Sequence, residues 1–347
     1  MRVVIHAGMH KTGSSAIQQH FFRRAGDDMV YAPWNEGNHC GLFILLFQDP
    51  ALQPQYHGFL HRGPAFAERL PAMREEWSAR LRQAMDGAGD RTVVLSAEDI
   101  SLPIYRNAAR AMRDFFADWT DSIDVVAYAR SPRSFAVSVF QQLVKDGLHR
   151  LQPEELWPHY RARFEMLDQV FGADRVTLRP YDRAALAGGD IVHDFAAFVG
   201  VDPGGEVARD VNATLSAEAT ALLFAQRKLG DNLPSGFPGA LAANQSFVDR
   251  LSTLGRSRFD FADALWQPVM ARHADDLAWI EARMGRPLAD RPAPDAIPIA
   301  SEDDLLRLAH DSRHLVEGAL RDLIARPGSP TLQDTVRAVD QLRKLSH

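Results

Sequence analysis

A chain of 347 residues, 46% hydrophobic and 24% charged, has the length of about two domains and a globular composition, which excludes wholesale disorder. Its formal charge of −6 argues against a broad footprint for nucleic acid while leaving room for a local basic pocket. Cys40 is the single cysteine, which excludes an internal disulfide and a cysteine-based zinc cluster and fits a reducing compartment.

Val3 to His6 is a β-branched run of strand length, followed by the small and polar stretch AGMHKTGSS and a helical segment from Ala16 to Arg24. Met29 to Ala32 reads as a second, weak strand. The longest apolar run, Gly41 to Phe47, is too short to cross a membrane. The opening MRVVIHAG carries no charged leader, so a cytoplasmic protein starting at Met1 is expected. Leu70, Met73, Trp77, Leu81 and Met85 recur every three or four residues and predict an amphipathic helix over 65–86.

Further strands are expected at Thr92 to Leu95, Ile123 to Ala129 and Val176 to Leu178. Helices are expected over 108–119, from Ser134 to Lys145 after Pro132, and over 153–171. This alternation predicts an α/β fold, a parallel sheet flanked by helices on both faces. Strand signals stop near residue 200. Ser216 with Glu218 starts a helix, Ser301 to Asp304 caps another whose stripe runs through Leu305, Leu308, Val316, Leu320 and Leu323, and Thr331 begins a last one. Residues 230–260 read as a long loop and Pro287 to Pro298 as a linker. The expected division is an α/β core over 1–205 and a mainly helical C-terminal portion over 206–347 that contributes to the acceptor side.

Two constellations carry chemistry. In Gly8-Met9-His10-Lys11-Thr12-Gly13-Ser14-Ser15, a strand, a glycine turn and a helix start would aim backbone N–H groups and a helix dipole at one anion. Lys11 adds a point charge. The spacing is not Walker A, because the lysine precedes the second glycine. Lysine occurs only at Lys11, Lys145, Lys228 and Lys344, the rest of the 39 cations being arginine, so Lys11 hints at a need for a compact ammonium. The second constellation is YARSPRSFAVS, with Arg130 at a strand's carboxyl end, where open α/β sheets place ligands, and Ser138 eight residues on. A guanidinium fork and a hydroxyl would clamp a second phosphate.

Together the two resemble the sulfotransferase family, P-loop-like enzymes that use 3′-phosphoadenosine 5′-phosphosulfate (PAPS) as donor and release 3′,5′-ADP (PAP). HKTGSS looks like that family's 5′-phosphosulfate loop and YARSPRSFAVS like its 3′-phosphate motif. RPYDR, Arg179 to Arg183, is similar to a segment common in bacterial members. The resemblance covers about residues 1–200. It implies that Lys11, Thr12, Gly13, Ser14 and Ser15, with His10 bordering them, hold the 5′-phosphosulfate, and that Arg130 and Ser138 hold the 3′-phosphate. It implies a general base near the end of another strand: Glu98 in VVLSAEDIS, with Asp99 second. Arg256 and Arg258 in GRSRFDF are the candidates for the family's late basic loop.

The expected reaction is transfer of a sulfuryl group to a hydroxyl or amine of a glycan, lipid or small metabolite, with Lys11 and Glu98 catalytic and no metal, because the transferred group carries less charge than a γ-phosphoryl. The rival readings are a P-loop kinase using ATP and Mg²⁺, and a non-catalytic nucleotide-binding scaffold. No nucleic-acid partner is expected, and a homodimer is allowed. Trp34, Tyr56, Phe59 and Phe237 would either stack on an acceptor or pack in the core. His310 and His314, four apart, match no metal motif, and His6 reads as a core residue.

Overall fold

The computed structural model describes residues 1–22, 28–204, 214–230, 233, 240–288 and 291–324. The chain divides into two compact units, one of Met1–Val139, Pro153–Ala213 and Trp266–Arg291, the other of Phe140–Gln152, Thr214–Leu265 and Pro292–His347.

In the first unit, β1 (Arg2–His6) leads to α1 (Ser14–Phe22), β2 (Met29–Tyr31) and α2 (Cys40–Phe47). The short helices α3 (His57–Leu60) and α4 (Pro64–Ala67) precede α5 (Leu70–Asp86) and β3 (Thr92–Ser96). Then come α6 (Arg106–Ala117), β4 (Ile123–Ala129), α7 (Pro132–Lys145), α8 (Tyr160–Phe171), β5 (Val176–Pro180) and α9 (Ile191–Val199). All five strands run parallel in the order β2-β3-β1-β4-β5. Val3 to Ile5, Val93 to Leu95 and Val125 to Ala129 are fully buried. Such continuous apolar runs belong to a parallel sheet covered on both faces. Ile17 and Phe21 of α1 and Val192, Phe195 and Ala196 of α9 join Val4, Val94 and Val126 in one cluster. The α/β fold with a central parallel sheet is therefore as the alternation predicts.

The helix expected over 65–86 is interrupted between α4 and α5 because Pro71, in the first turn of α5, cannot continue a helix from before it. The helix expected over 153–171 breaks where Pro158 and His159, at φ 53°, turn the chain. Asp276 supplies the start of α8 from outside: its carboxylate accepts from the N–H groups of Tyr160 (2.9 Å) and Arg161 (2.8 Å) and from the Trp157 indole (2.6 Å). The apolar run at 41–47 is the core of α2, a helix buried all round.

The second unit holds α10 (Ala217–Leu229), α11 (Ala240–Ser252) and β6 (Arg258–Phe261). Next come α12 (Asp263–Arg272), which crosses between the units, and α13 (Ala274–Met284) of the first unit. β7 (Ala296–Ile299), α14 (Glu302–Asp311) and α15 (Arg313–Ile324) follow. Ser216 and Ser301 cap α10 and α14 as read from sequence. Two expectations fail here. Strands do not stop at residue 200, since β6 and β7 pair in parallel, and 230–260 contains α11 and β6. The reason is packing: Phe259 stacks on Phe140 at 5.5 Å, Phe261 meets Phe140 edge-on at 5.6 Å, and Phe140 in turn faces Phe224. The stripe from Leu305 to Leu323 lies on two helices that break at the buried Ser312. The helix expected from Thr331 lies outside the described residues.

Candidate anion-binding and catalytic site

β1 lies between β3 and β4, so the segments leaving these three strands emerge side by side at one edge of the sheet. His6 pairs with Ser96 on one side and Val126 on the other, and the Ala7 N–H donates to the Val126 carbonyl at 3.0 Å. Between β1 and β4 the chain changes the direction in which it winds, the place where open α/β sheets bind ligands. The loop after β1 thus has Glu98 on one flank and Arg130 on the other.

The loop is held from below and bent from within. The Thr12 hydroxyl donates to the Met9 carbonyl at 2.5 Å, and the Ser101 hydroxyl donates to the Gly8 carbonyl at 3.1 Å. Lys11 takes φ 66°, a left-handed conformation that costs a lysine about 1–2 kcal/mol, and Gly13 takes φ 78°. The positive φ favours glycine at 13, and a Cβ there would also crowd Tyr181 Oη and Ile191 Cγ2, each at 3.1 Å. The first helical bonds of α1 run from Ala16 and Ile17 to the Gly13 carbonyl. The N–H groups of Ser14 and Ser15 lie ahead of that ladder, at the helix start that favours an anion. Thr12 and Ser14 are buried, while His10, Lys11, Gly13 and Ser15 are half-buried.

Arg130 leaves the end of β4 and turns onto this loop. Its Nε donates to Ser134 Oγ at 2.7 Å, one Nη donates to the Lys11 carbonyl at 2.8 Å, and the guanidinium lies 5.8 Å from the Tyr181 ring centre. Burial pushes its pKa down, with the Tyr181 phenol acting the other way. Among the described residues no carboxylate pairs with it. The backbone is pinned too, as the Tyr160 hydroxyl donates to the Arg130 carbonyl at 2.5 Å. A half-buried, partly desolvated cation bonded only to neutral groups is costly unless an anion completes it. Ser138 stands on α7 one turn beyond Ser134 and is half-buried. The sequence reading missed Ser134, which an i, i+4 count from Arg130 finds. It also assigned no role to Tyr181, which sits under Gly13 beside Arg130. The segment around Tyr181 is anchored by Arg179, whose guanidinium donates to Asp194 at 2.5 Å, the same carboxylate that takes the Tyr128 hydroxyl at 2.8 Å.

On the other flank, Glu98 opens a short turn, Glu98–Ser101, directly after β3. Burial raises the Glu98 pKa above the ordinary carboxylate value, against the lowering influence of His10, the Ser14 hydroxyl and Lys11. Asp99 behaves oppositely. Burial pushes it up, but hydrogen bonds from His10 and from the Tyr56 hydroxyl (2.9 Å) outweigh that and hold it below the usual range. The His10 ring is turned toward this pair, its Nε2 3.3 Å from Asp99 Oδ1 and 3.6 Å from Glu98 Oε2.

Two buried histidines stitch the strand ends together. His39 accepts from the Ser96 N–H on Nδ1 at 2.9 Å and therefore donates from Nε2 to the Ala32 carbonyl, also 2.9 Å. His6 shares a 2.8 Å hydrogen bond with Ser96 Oγ and packs among Tyr128 and Phe195, a core residue as expected. Burial lowers both pKa values to about 3, so both are neutral.

Of the aromatics expected either to stack on an acceptor or to pack in the core, those described pack. Tyr56 and Phe59 are buried against each other at 5.1 Å, and Trp34 meets Trp77 edge-on at 4.7 Å. Phe237 lies outside the described residues. Arg256 and Arg258 are exposed in the second unit. His310 and His314 are exposed on separate helices, and among the described residues no three His, Cys, Asp or Glu side chains gather as metal ligands. No helix among those residues is long and apolar enough to cross a membrane.

No protein-family model matches the chain, and no curated protein matches it significantly. Among solved structures, a sulfotransferase from Alicyclobacillus acidocaldarius aligns over 82% of this chain and 96% of its own, at 17% identity and a TM-score of 0.45. The sulfotransferase domain from the curacin biosynthetic pathway aligns over 79% and 97%, at 13% identity and a TM-score of 0.34.

Proposed function

We propose that this chain is a sulfotransferase that uses PAPS as donor and a hydroxyl or amine compound, a glycan, lipid or small metabolite, as acceptor. The observation that carries the reading is Arg130: a half-buried cation with no carboxylate partner among the described residues, bonded to the carbonyl of Lys11 in the neighbouring anion loop. A nucleotide with phosphate at both its 3′ and 5′ positions needs two cationic holds within its own length. The chemistry of the donor set fits it: Lys11 with the amides around Gly13 on one side, the Arg130 fork and the Ser138 hydroxyl on the other.

The donor supplies the sulfuryl group. Lys11, Thr12, Gly13, Ser14 and Ser15 hold its 5′ end, with Lys11 and the helix start stabilising charge that develops on the departing phosphate oxygen. Arg130 and Ser138 hold the 3′-phosphate. Glu98 removes the acceptor's proton, and its raised pKa makes it a stronger base than an exposed carboxylate. Positioning and electrostatics do the remainder, as in phosphoryl transfer.

Thermal shift without added metal tests the reading first. 3′,5′-ADP should raise the Tm in proportion to RT ln(1 + [L]/Kd), and ATP with Mg²⁺ should do little. Labelled PAPS over a panel of glycans, lipids, phenols and tyrosine peptides then finds the acceptor. Stabilisation by ATP with Mg²⁺ and none by 3′,5′-ADP would replace this reading with the kinase. Binding of 3′,5′-ADP without transfer across the panel would replace it with the scaffold.

A further inference from the structure

Glu98 and Asp99 are poorly placed to exchange protons with solvent. Their side chains are 16% and 5% exposed, whereas the His10 side chain is 38% exposed. A base so shielded must lose one proton per turnover before it can act again. His10 Nε2 stands 3.6 Å from Glu98 Oε2, and the His10 side chain is the most exposed of the three.

We propose that His10 is the proton exit of the Glu98 base, with Asp99 as the anion that fixes the ring and Tyr56 as the post that fixes Asp99. This rests on the reading of Glu98 as the base. In the transfer step the acceptor O–H bond breaks and its proton goes to a Glu98 oxygen. The freed electron pair forms the O–S bond, and the bridging S–O bond breaks with its electrons leaving on the 5′-phosphate. With the resting ring carrying its proton on Nδ1, the Glu98 carboxylic proton then passes to the bare His10 Nε2, giving an imidazolium 3.3 Å from the Asp99 carboxylate, and the imidazolium returns that same proton to water.

The surroundings support that division of labour. Asp99 is held in its anionic form by the Tyr56 hydroxyl and faces the charge of Arg163 on α8, while Cys40 Sγ receives its backbone N–H at 3.5 Å. Tyr105 lies near Asp99 as a neutral phenol whose pKa burial raises to about 12. Glu98 faces Lys11, Ser14 and His10 and is pushed the opposite way from Asp99. Two adjacent carboxyls driven apart in this manner take different roles, one a standing anion and one a cycling base. Nε2 is the ring nitrogen turned to both acids, so an imidazolium formed by protonation there is the species that the Asp99 carboxylate holds.

The test is His10→Gln in the full chain, with three readouts. Carboxyl NMR titration without nucleotide should show the midpoints of Glu98 and Asp99 both rising, and unmoved midpoints overturn the coupling. Calorimetry with 3′,5′-ADP should give an unchanged Kd, and a lost Kd overturns the proposal by making His10 a donor-binding residue. With labelled PAPS and the best acceptor of the panel, kcat should fall about 10²-fold, the low end for loss of a proton-transfer partner, and recover in imidazole buffer. A fall that imidazole leaves untouched overturns the exit role and leaves a structural one. If the wild-type chain binds no 3′,5′-ADP, the sulfuryl-transfer reading fails by itself, and the carboxyl titration still decides whether His10 and the two acids act as one unit.

Discussion

Replacing Arg130 by alanine separates the two ends of the proposed nucleotide. The guanidinium has five N–H groups. One goes to Ser134 and one to the Lys11 carbonyl, which leaves three for an anion. Losing a buried charge-assisted contact costs about 2–4 kcal/mol, or roughly 30- to 1,000-fold in affinity. The assay is calorimetry with 3′,5′-ADP and with 5′-AMP, which lacks the 3′-phosphate. Arg130→Ala should weaken 3′,5′-ADP by that factor and leave 5′-AMP within about threefold, erasing the discrimination between them. Arg130→Lys should recover little, because an ammonium cannot hold Ser134, the Lys11 carbonyl and a phosphate together. The ligand-free Tm should stay level or rise in Arg130→Ala, since the lost cation is partly desolvated and pairs with no carboxylate among the described residues. Equal weakening of both nucleotides, or a sharp fall in ligand-free Tm, would refute the assignment and make Arg130 a scaffold residue.

Lys11→Ala should lower kcat by about 10²–10³-fold, as for loss of one oxyanion donor, in a turnover assay with labelled PAPS. Glu98→Gln should abolish turnover while calorimetry shows 3′,5′-ADP still bound. Wild-type activity should fall with acid through a midpoint above the ordinary carboxylate value, because burial raises the Glu98 pKa. The same shift has a stability sign: a raised folded-state pKa contributes stability below the unfolded value and loses it as pH rises through the folded one. Glu98→Gln should therefore raise the Tm on the alkaline side of that midpoint. Asp276→Ala should cost about 1–3 kcal/mol in urea unfolding, with nucleotide affinity kept, because it orphans the N–H groups of Tyr160 and Arg161 and the Trp157 indole.

What was legible in the sequence is what is local. The β1 loop and Arg130 are each a strand end followed by a helix start, and a parallel sheet brings such ends to one edge without further information. Ser134 is one helical turn from Arg130 and was within reach of the same spacing argument that singled out Ser138. The Asp99–Tyr56 hydrogen bond joins Tyr56, in the segment of short turns before α5, to a residue 43 positions on, beyond α5 and β3, so spacing within one element could not find it. The aromatics of that segment have the composition of a ligand platform, yet Tyr56 and Phe59 are buried in the core. In the second unit, β6 and β7 are four-residue strands beside Gly, Pro and Ser, and what defines them is Phe259 and Phe261 packing on Phe140. Tertiary contact overrides turn composition there.

Three adjacent strand ends each carry a locally unfavourable feature. Lys11 sits at φ 66°, Arg130 is a desolvated cation, and Glu98 is a carboxyl whose ionised form burial disfavours. Behind them His6 and His39 are neutral, and Asp194 is saturated by Arg179, Tyr128 and the Ala187 N–H. Unfavourable features gathered at neighbouring strand ends are what a binding site looks like in free-energy terms. An anion lying between Lys11 and Arg130 would relieve the desolvated guanidinium and give the unladdered amides of Ser14 and Ser15 an acceptor. The same anion would also add negative charge near Glu98, raising its pKa further and making it a stronger base once the donor is in place. Donor binding and base strength are then coupled through one field, so the Glu98 midpoint in a carboxyl titration should move to higher pH when saturating 3′,5′-ADP occupies the site.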